Sequence, residues 1–236
     1  MEQAGEHHHS GDRHTVKTKI AGPTAALAGI PAGLQAQGVW AGRRQLFVRF
    51  AGEAETATMY TAEALATEMD RAMTRSKFHS ISIGGRDPLG NVEYLRAAFD
   101  VKAVPVPVMI DCDGQRPRDI GALEKIVALI EVTLEGSALA ADGQMNNAVA
   151  SIKEAASIKA DHSLVLIADE RTSDSVVLRV VEQVNAASER TTVVIHPATG
   201  TPVDRDRRWT MLLERTMALH GDVRLALRLP PPTGMR

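Results

Sequence analysis

The sequence predicts an α/β protein built on a parallel sheet, and three observations carry that expectation. From Arg44 onward, short apolar runs rich in Val, Ile and Leu alternate with segments of helical spacing. Hydrophobic residues make up 44% of the chain but aromatics only 3%, so a core has to be assembled from Val, Ile, Leu, Met and Ala, the residues that fill buried parallel strands. A chain of 236 residues buries about 70–75% of its unfolded surface, enough for one barrel-sized domain without covalent staples.

Taken in order, residues 1–21 are polar and aperiodic and are expected to form a flexible tail. The run His7–His9 lies inside it and reads as solvated rather than metal-binding, because no further ligand stands at a fixed spacing. Residues 22–236 are expected to form a single domain. Seven strands are expected: QLFVRF (45–50), SISIG (80–84), VPVMID (106–111), IVALIEVTL (126–134), SLVLIA (163–168), TTVVIH (191–196) and VRLALRL (223–229). Between them, Leu65, Met69 and Met73 fall four apart behind a capping Thr61. Val176, Val177, Val180, Val181 and Val184 form a second stripe after Ser173, and Trp209, Leu212, Leu213 and Met217 a third. Such alternation implies right-handed crossovers between parallel strands, in a closed or an open sheet, with ligands at the carboxyl ends of the strands.

Composition narrows the partners. The net charge of -2 gives no footprint for nucleic acid and no basic membrane anchor. No apolar run approaches the ~20 residues of a membrane span, and the N-terminus has no apolar signal segment, so a cytoplasmic protein is expected. The single cysteine, Cys112, rules out an internal disulfide and any all-cysteine metal site.

The residues just after each strand supply the candidate chemistry. GGRDPLG (84–90) can bring backbone N–H groups to a ligand or simply turn the chain, and DCDGQ (111–115) is a good turn sequence that lacks calcium-loop spacing. Cys112 and His196 sit at strand ends, with Asp111 and Asp113 nearby. An inert Cys112 in a strand-to-helix loop competes with a Cys–His nucleophile pair, whose geometry sequence cannot supply.

The order of several segments resembles the 7-carboxy-7-deazaguanine synthase family of radical SAM proteins. They are LQAQGVWAGRRQLFVRFAG (34–52), YTAEALATEM (60–69), HSISIGGRDPLGN (79–91), VPVMIDCDGQRP (106–117), VVIHPATGTP (193–202) and DVRLALRLPPPTGMR (222–236). The resemblance implies an incomplete (βα)6-type barrel with extra strands. Members convert 6-carboxytetrahydropterin to the deazaguanine precursor of queuosine with a [4Fe–4S] cluster, S-adenosylmethionine and magnesium. Their cluster is held by a C-x-x-x-C-x-x-C loop directly after the first strand, and here those positions would be Glu53, Ala57 and Tyr60, or would be deleted in a shortened loop. Three thiolates must hold three irons, and the chain has one thiol, so no iron–sulfur cofactor is expected.

Other family positions change as well. The Q-G-E-G motif reads Gln35-Ala36-Gln37-Gly38, and G-G-E-P reads Gly84-Gly85-Arg86-Asp87-Pro88. The acid and lysine of the fourth strand correspond to Glu131 and Thr133, and Pro230 and Pro231 replace a His-Lys pair. Arg49, which the resemblance places against a substrate carboxylate, is kept, as are Gly84, Gly85 and Gly234. Structural signals survive while cofactor ligands are lost, although most core substitutions destabilise by a kcal/mol or more.

Three readings follow. The first is a pseudoenzyme without metal or cofactor that binds or regulates, its partner a second copy or an active relative. The second is a cluster-independent enzyme or binder of a pterin- or purine-like carboxylate, with Gln35, Gln37, Gly38, Arg49, Gly84, Gly85, Asp87, Asp111, Asp113 and His196 lining the old pocket. The third is a different α/β barrel whose Gly84–Gly85 loop cradles a phosphate at a helix N-terminus.

Overall fold

Period-two alternation builds the sheet. In Ser80–Gly85 the two isoleucines Ile81 and Ile83 are fully buried against the helices, while Ser80 and Ser82 point the other way; Ile130, Val132 and Leu134 alternate in the same manner with Glu131 and Thr133. The computed structural model describes residues 22–198 and 207–227. The expected tail at 1–21 with His7–His9, the end of the HPATGTP segment, and Pro230, Pro231 and Gly234 lie outside the described residues.

The described strands are β1 (Thr24–Gly29), β2 (Ala32–Leu34), β3 (Arg44–Phe50), β4 (Thr58–Thr61), β5 (Ser80–Gly85), β6 (Val108–Cys112), β7 (Leu129–Glu135), β8 (Asp161–Ala168), β9 (Thr192–Pro197) and β10 (Val223–Leu225). The helices are α1 (Ala62–Arg75), α2 (Val92–Val101), α3 (Asp142–Ser157), α4 (Asp174–Ala187) and α5 (Arg207–Met217). One sheet runs β10-β9-β8-β7-β6-β5-β3-β1-β4, with β2 paired to β3. From β3 to β10 every neighbouring pair is parallel and follows chain order. Successive crossovers therefore put the helices on one face and leave the other as a separate, more polar surface. Among the described residues no pairing joins β10 to β4.

Among the described residues the sheet has ten strands where the sequence suggests seven. The three additional ones are short: β1 (TAALAG) and β2 (AGL) are rich in Ala and Gly, which have little strand propensity. They form because the chain folds back on β3: β1 runs antiparallel to both β3 and β4, and β2 antiparallel to β3. β4 corrects a further expectation, since residues 58–61 are a paired strand and not part of a plain connection.

Three strand boundaries also move. β6 starts at Val108 because Pro105 and Pro107 have no N–H to give a ladder. β7 starts at Leu129, after a turn in which Ile126 and Val127 both donate to the Leu123 carbonyl. β10 ends at Leu225, four residues earlier than the expected 229, of which 228 and 229 lie outside the described residues.

The expected helical stripes fill the main core. Leu65 and Met69 of α1, Val177, Val180, Val181 and Val184 of α4, and Trp209 and Leu212 of α5 are all buried there. Thr61 caps α1, its Oγ1 accepting the Ala64 N–H at 3.1 Å. Ser173 precedes α4 without capping it, its hydroxyl pairing with that of Ser175 at 2.7 Å. Met217 departs from its stripe, being 55% exposed at the last turn of α5. On the opposite face of the sheet, Val165, Ile167 and Val194 form a small second cluster, covered by Val39, Ala198 and Ala226. No helix among the described residues is long and apolar enough to cross a membrane.

Candidate functional site

The loop between β2 and β3 is a strap lying across the polar face of the sheet. Its ends are pinned where Gln35 N–H donates to the Arg43 carbonyl at 2.9 Å and Gly42 N–H to the Gln35 carbonyl at 2.8 Å. Its middle is hydrogen-bonded to two strands, β7 and β9. Val39 N–H and the Gln35 amide donate to the two oxygens of Glu131 at 3.1 and 3.4 Å, the Gln37 amide donates to Thr133 Oγ1 at 3.2 Å, and Gly38 N–H donates to His196 Nε2 at 3.1 Å. Gly38 has φ +72, and a Cβ there would come within 2.0 Å of Glu131 Oε2, so the close approach requires glycine.

Glu131 is fully buried and also accepts the Ser163 hydroxyl at 3.0 Å. Burial first, and the neighbouring Asp111 second, push its carboxyl up to about 8, against the pull of its three hydrogen-bond donors. His196, equally buried, receives the Gly38 N–H on Nε2, so its proton resides on Nδ1 and is donated to the Ala226 carbonyl at 2.7 Å. Both ring nitrogens are spent on backbone groups. The expectation of an acid–base His196 is thereby corrected: the ring fastens the strap to β9.

At the carboxyl ends of β5, β6, β7 and β8, just beyond Glu131, lies an open cleft of about 500 Å³. Gln37, Asp87, Asp111, Asp113, Thr133 and Glu135 supply its polar lining, with no cationic side chain among the described residues that line it. The Thr133 hydroxyl donates to Asp111 Oδ1 at 3.1 Å and therefore accepts from the Gln37 amide. This fixes the amide orientation and leaves Gln37 Oε1 buried without a hydrogen-bond partner, in a residue only 7% exposed.

Several expected residues have mainly structural roles. Asp87 adopts a left-handed conformation with φ 47 and caps the turn Pro88–Asn91, accepting the Gly90 N–H at 3.1 Å and Arg116 Nε at 2.7 Å. Gly85 has φ +89, and a Cβ on it would stand 2.3 Å from the Phe50 carbonyl oxygen. The GGRDP segment is thus a tight turn, its Arg86 N–H given to the Phe50 carbonyl and the Gly90 N–H that follows it given to the Asp87 carboxylate. Asp113 Oδ1 accepts the Gln115 N–H at 3.0 Å.

Arg49 does not reach the cleft lining. It pairs with Glu55 at 2.9 Å, while the second oxygen of Glu55 accepts the Gly52 N–H at 2.8 Å, so a carboxylate of the chain itself meets this guanidinium. Because Arg49 and Glu55 are both substantially exposed, Arg49→Ala is expected to change stability by less than about 1 kcal/mol in urea unfolding.

The donor set for an iron–sulfur cluster does not fit. Glu53 pairs with Arg86 at 2.8 Å, Ala57 is exposed, and Tyr60 lies in β4 and packs against the main core, while its neighbour Met59 is 64% exposed. Cys112 faces the helix layer on β6, only 5% exposed, and burial pushes its thiol up to about 12. A thiol so placed is a poor nucleophile and a poor ligand. Among the described residues, no three His, Cys, Asp or Glu side chains are placed to share a metal ion.

Of the sequence candidates, the structure gathers Gln35, Gln37, Gly38, Asp111 and His196 around Glu131 and Thr133, and leaves Arg49 outside. Glu135, which the sequence places at a strand end in EGSA (135–138) but outside the expected ligand-binding set, also lines the cleft. A signal for the centre did exist, in that Glu131 is the lone charge inside an otherwise apolar strand run.

No protein-family description matches the chain, and no curated protein matches it. Solved structures similar to it include 3-keto-D-glucoside 4-epimerase from E. coli in its apo form, at a TM-score of 0.37 and 15% identity, covering 75% of this chain and 91% of that one. Another is a dihydropteroate synthase from Coxiella burnetii in complex with pteroic acid, at a TM-score of 0.41 and 17% identity, covering 76% of this chain and 68% of that one. At these values the likeness carries no argument about what the chain binds. Its own strand pairing makes it an α/β protein with a mainly parallel sheet.

Proposed function

We propose that this chain is a radical SAM-like partial barrel without cluster chemistry, a non-catalytic protein that binds a small ligand in the cleft at the carboxyl ends of β5 to β8. The observation that supports it most is the buried, unpartnered Gln37 Oε1 in the wall of an otherwise formed cleft. A buried acceptor left without a partner costs about 1–3 kcal/mol, and a ligand donor would recover that.

Two further features favour binding over turnover. His196 has both nitrogens committed to backbone groups, and Glu131 is enclosed beneath the strap, so neither of these two is placed to exchange a proton with a ligand in the cleft. The sole thiol is buried at the end of β6, not in the loop after β3 where the resemblance would put a cluster.

Anaerobic reconstitution with iron and sulfide tests the cluster half of this reading. Iron is expected to stay well below one atom per chain after desalting, with no cleavage of S-adenosylmethionine under reduction. A stable four-iron chromophore on the purified chain would overturn it.

A further inference from the structure

We infer that a second pocket, at the opposite end of the sheet from the cleft, binds a small zwitterion of the α-amino acid class with an apolar or aromatic body. The pocket holds about 360 Å³ against the strap, at the amino ends of β7, β8 and β9 and beside β10. It shares no lining residue with the cleft, so its ligand is independent of the reading given to the cleft. Charges of both signs line it. Asp161 opens β8, and Arg190 lies in the turn between α4 and β9. Both are exposed, and among the described residues neither is bridged to the other or to any further charged group. A carboxylate and a guanidinium that share one pocket without pairing are matched by a molecule that carries an ammonium and a carboxylate side by side.

The neighbouring groups are set in complementary states. Arg224 donates from Nε and Nη2 to Asp222 at 3.1 and 3.2 Å, which fixes its guanidinium and leaves Nη1 as the end without a partner among the described residues. Asp222 also accepts the Thr192 hydroxyl at 2.7 Å, so Thr192 offers the pocket lone pairs only. A ligand carboxylate is thus met by Arg190 and by Nη1 of Arg224, and a ligand ammonium by Asp161 and Thr192 Oγ1. Val39, Leu129 and the half-buried indole of Trp40 make the apolar wall, and the His79 ring stands edge-on to that indole at 5.0 Å. His162 adds no free polar atom, because Nδ1 is engaged by the Ala160 carbonyl and Nε2 by the Ser188 hydroxyl. A plain anion would set its charge against Asp161, and a plain cation would set its charge against two guanidiniums.

Isothermal titration of the full chain with L-phenylalanine, L-leucine, 3-phenylpropionate and 2-phenylethylamine tests this, repeated on Asp161→Asn and on Arg190→Gln. Both substitutions fall on exposed side chains, and circular dichroism confirms that each variant is folded. Phenylalanine or leucine is expected to bind, with the acid that lacks the ammonium and the amine that lacks the carboxylate weaker by about tenfold or more. Asp161→Asn is expected to weaken the amino acid by about tenfold or more without weakening phenylpropionate, and Arg190→Gln to weaken both. If phenylpropionate or phenylethylamine binds as tightly as the amino acid, the requirement for both charges falls and the inference with it. Amino-acid binding that neither variant weakens would put the site elsewhere and overturn the inference, as would the failure of both amino acids to bind.

Discussion

Gly85→Ala is expected to destabilise the protein by about 3–5 kcal/mol, enough to remove a large part of the stability of an ordinary domain. Two effects add at this position. The φ of +89 lies in a region L side chains rarely adopt, and the new Cβ would sit 2.3 Å from the oxygen and 2.8 Å from the nitrogen of Phe50. These are backbone atoms in a ladder, where Phe50 pairs with Gly85 and its carbonyl accepts the Arg86 N–H at 3.0 Å, so nothing can swing aside. Gly84→Ala is the control: its Cβ would meet the Asp111 carbonyl oxygen at 3.5 Å, an ordinary contact, and about 1 kcal/mol or less should be lost. Urea midpoints at unchanged slope distinguish the two, and a Gly85→Ala midpoint equal to that of Gly84→Ala would refute the close approach.

Stability is expected to fall as pH rises from about 5 to about 8, and Glu131 is the cause. Its carboxyl is raised from 4.5 to about 8 by burial and then by Asp111, so between those values the native state holds a proton that the unfolded chain has released. The contribution is fully present below 4.5 and is lost as pH climbs through the folded value. One such group gives a slope of at most about 1.4 kcal/mol per pH unit. Glu131→Gln keeps the shape and removes the ionisation, so its stability should be flat over this window. An unchanged slope in that variant would exclude Glu131 as the source. Asp169 acts elsewhere on the pH axis, because the Thr172 hydroxyl holds its carboxyl below the usual range and its contribution disappears only in acid.

β3, the strands from β5 to β9 and the Thr61 cap were legible because each depends on a local rule: apolar alternation for Ile81 and Ile83, and a hydroxyl three residues ahead of the Ala64 N–H for the cap. β1, β2 and β4 were not, because their Ala, Gly and Thr residues become strand only through pairing with β3 and with each other. The site divides in the same way. Gln35, Gln37 and Gly38 stood out through a motif, yet their partners Glu131, Thr133 and His196 lie 96 to 158 positions away, a distance no local pattern spans. Arg49 misled because its type suggests an anion partner, and the chain provides one in Glu55, six residues on.

The strap also sets an order of events in time. Residues 35–39 leave the ribosome early, but their seats on β7 and β9 emerge only after most of the chain has been made. Each parallel strand from β5 onward can add to the one before it as it is synthesised, whereas the strap must wait and then close loops of 92 to 158 residues. During translation the polar face is therefore open to water, Glu131 has access to it, and the buried acceptor network is the last part of the molecule to be assembled.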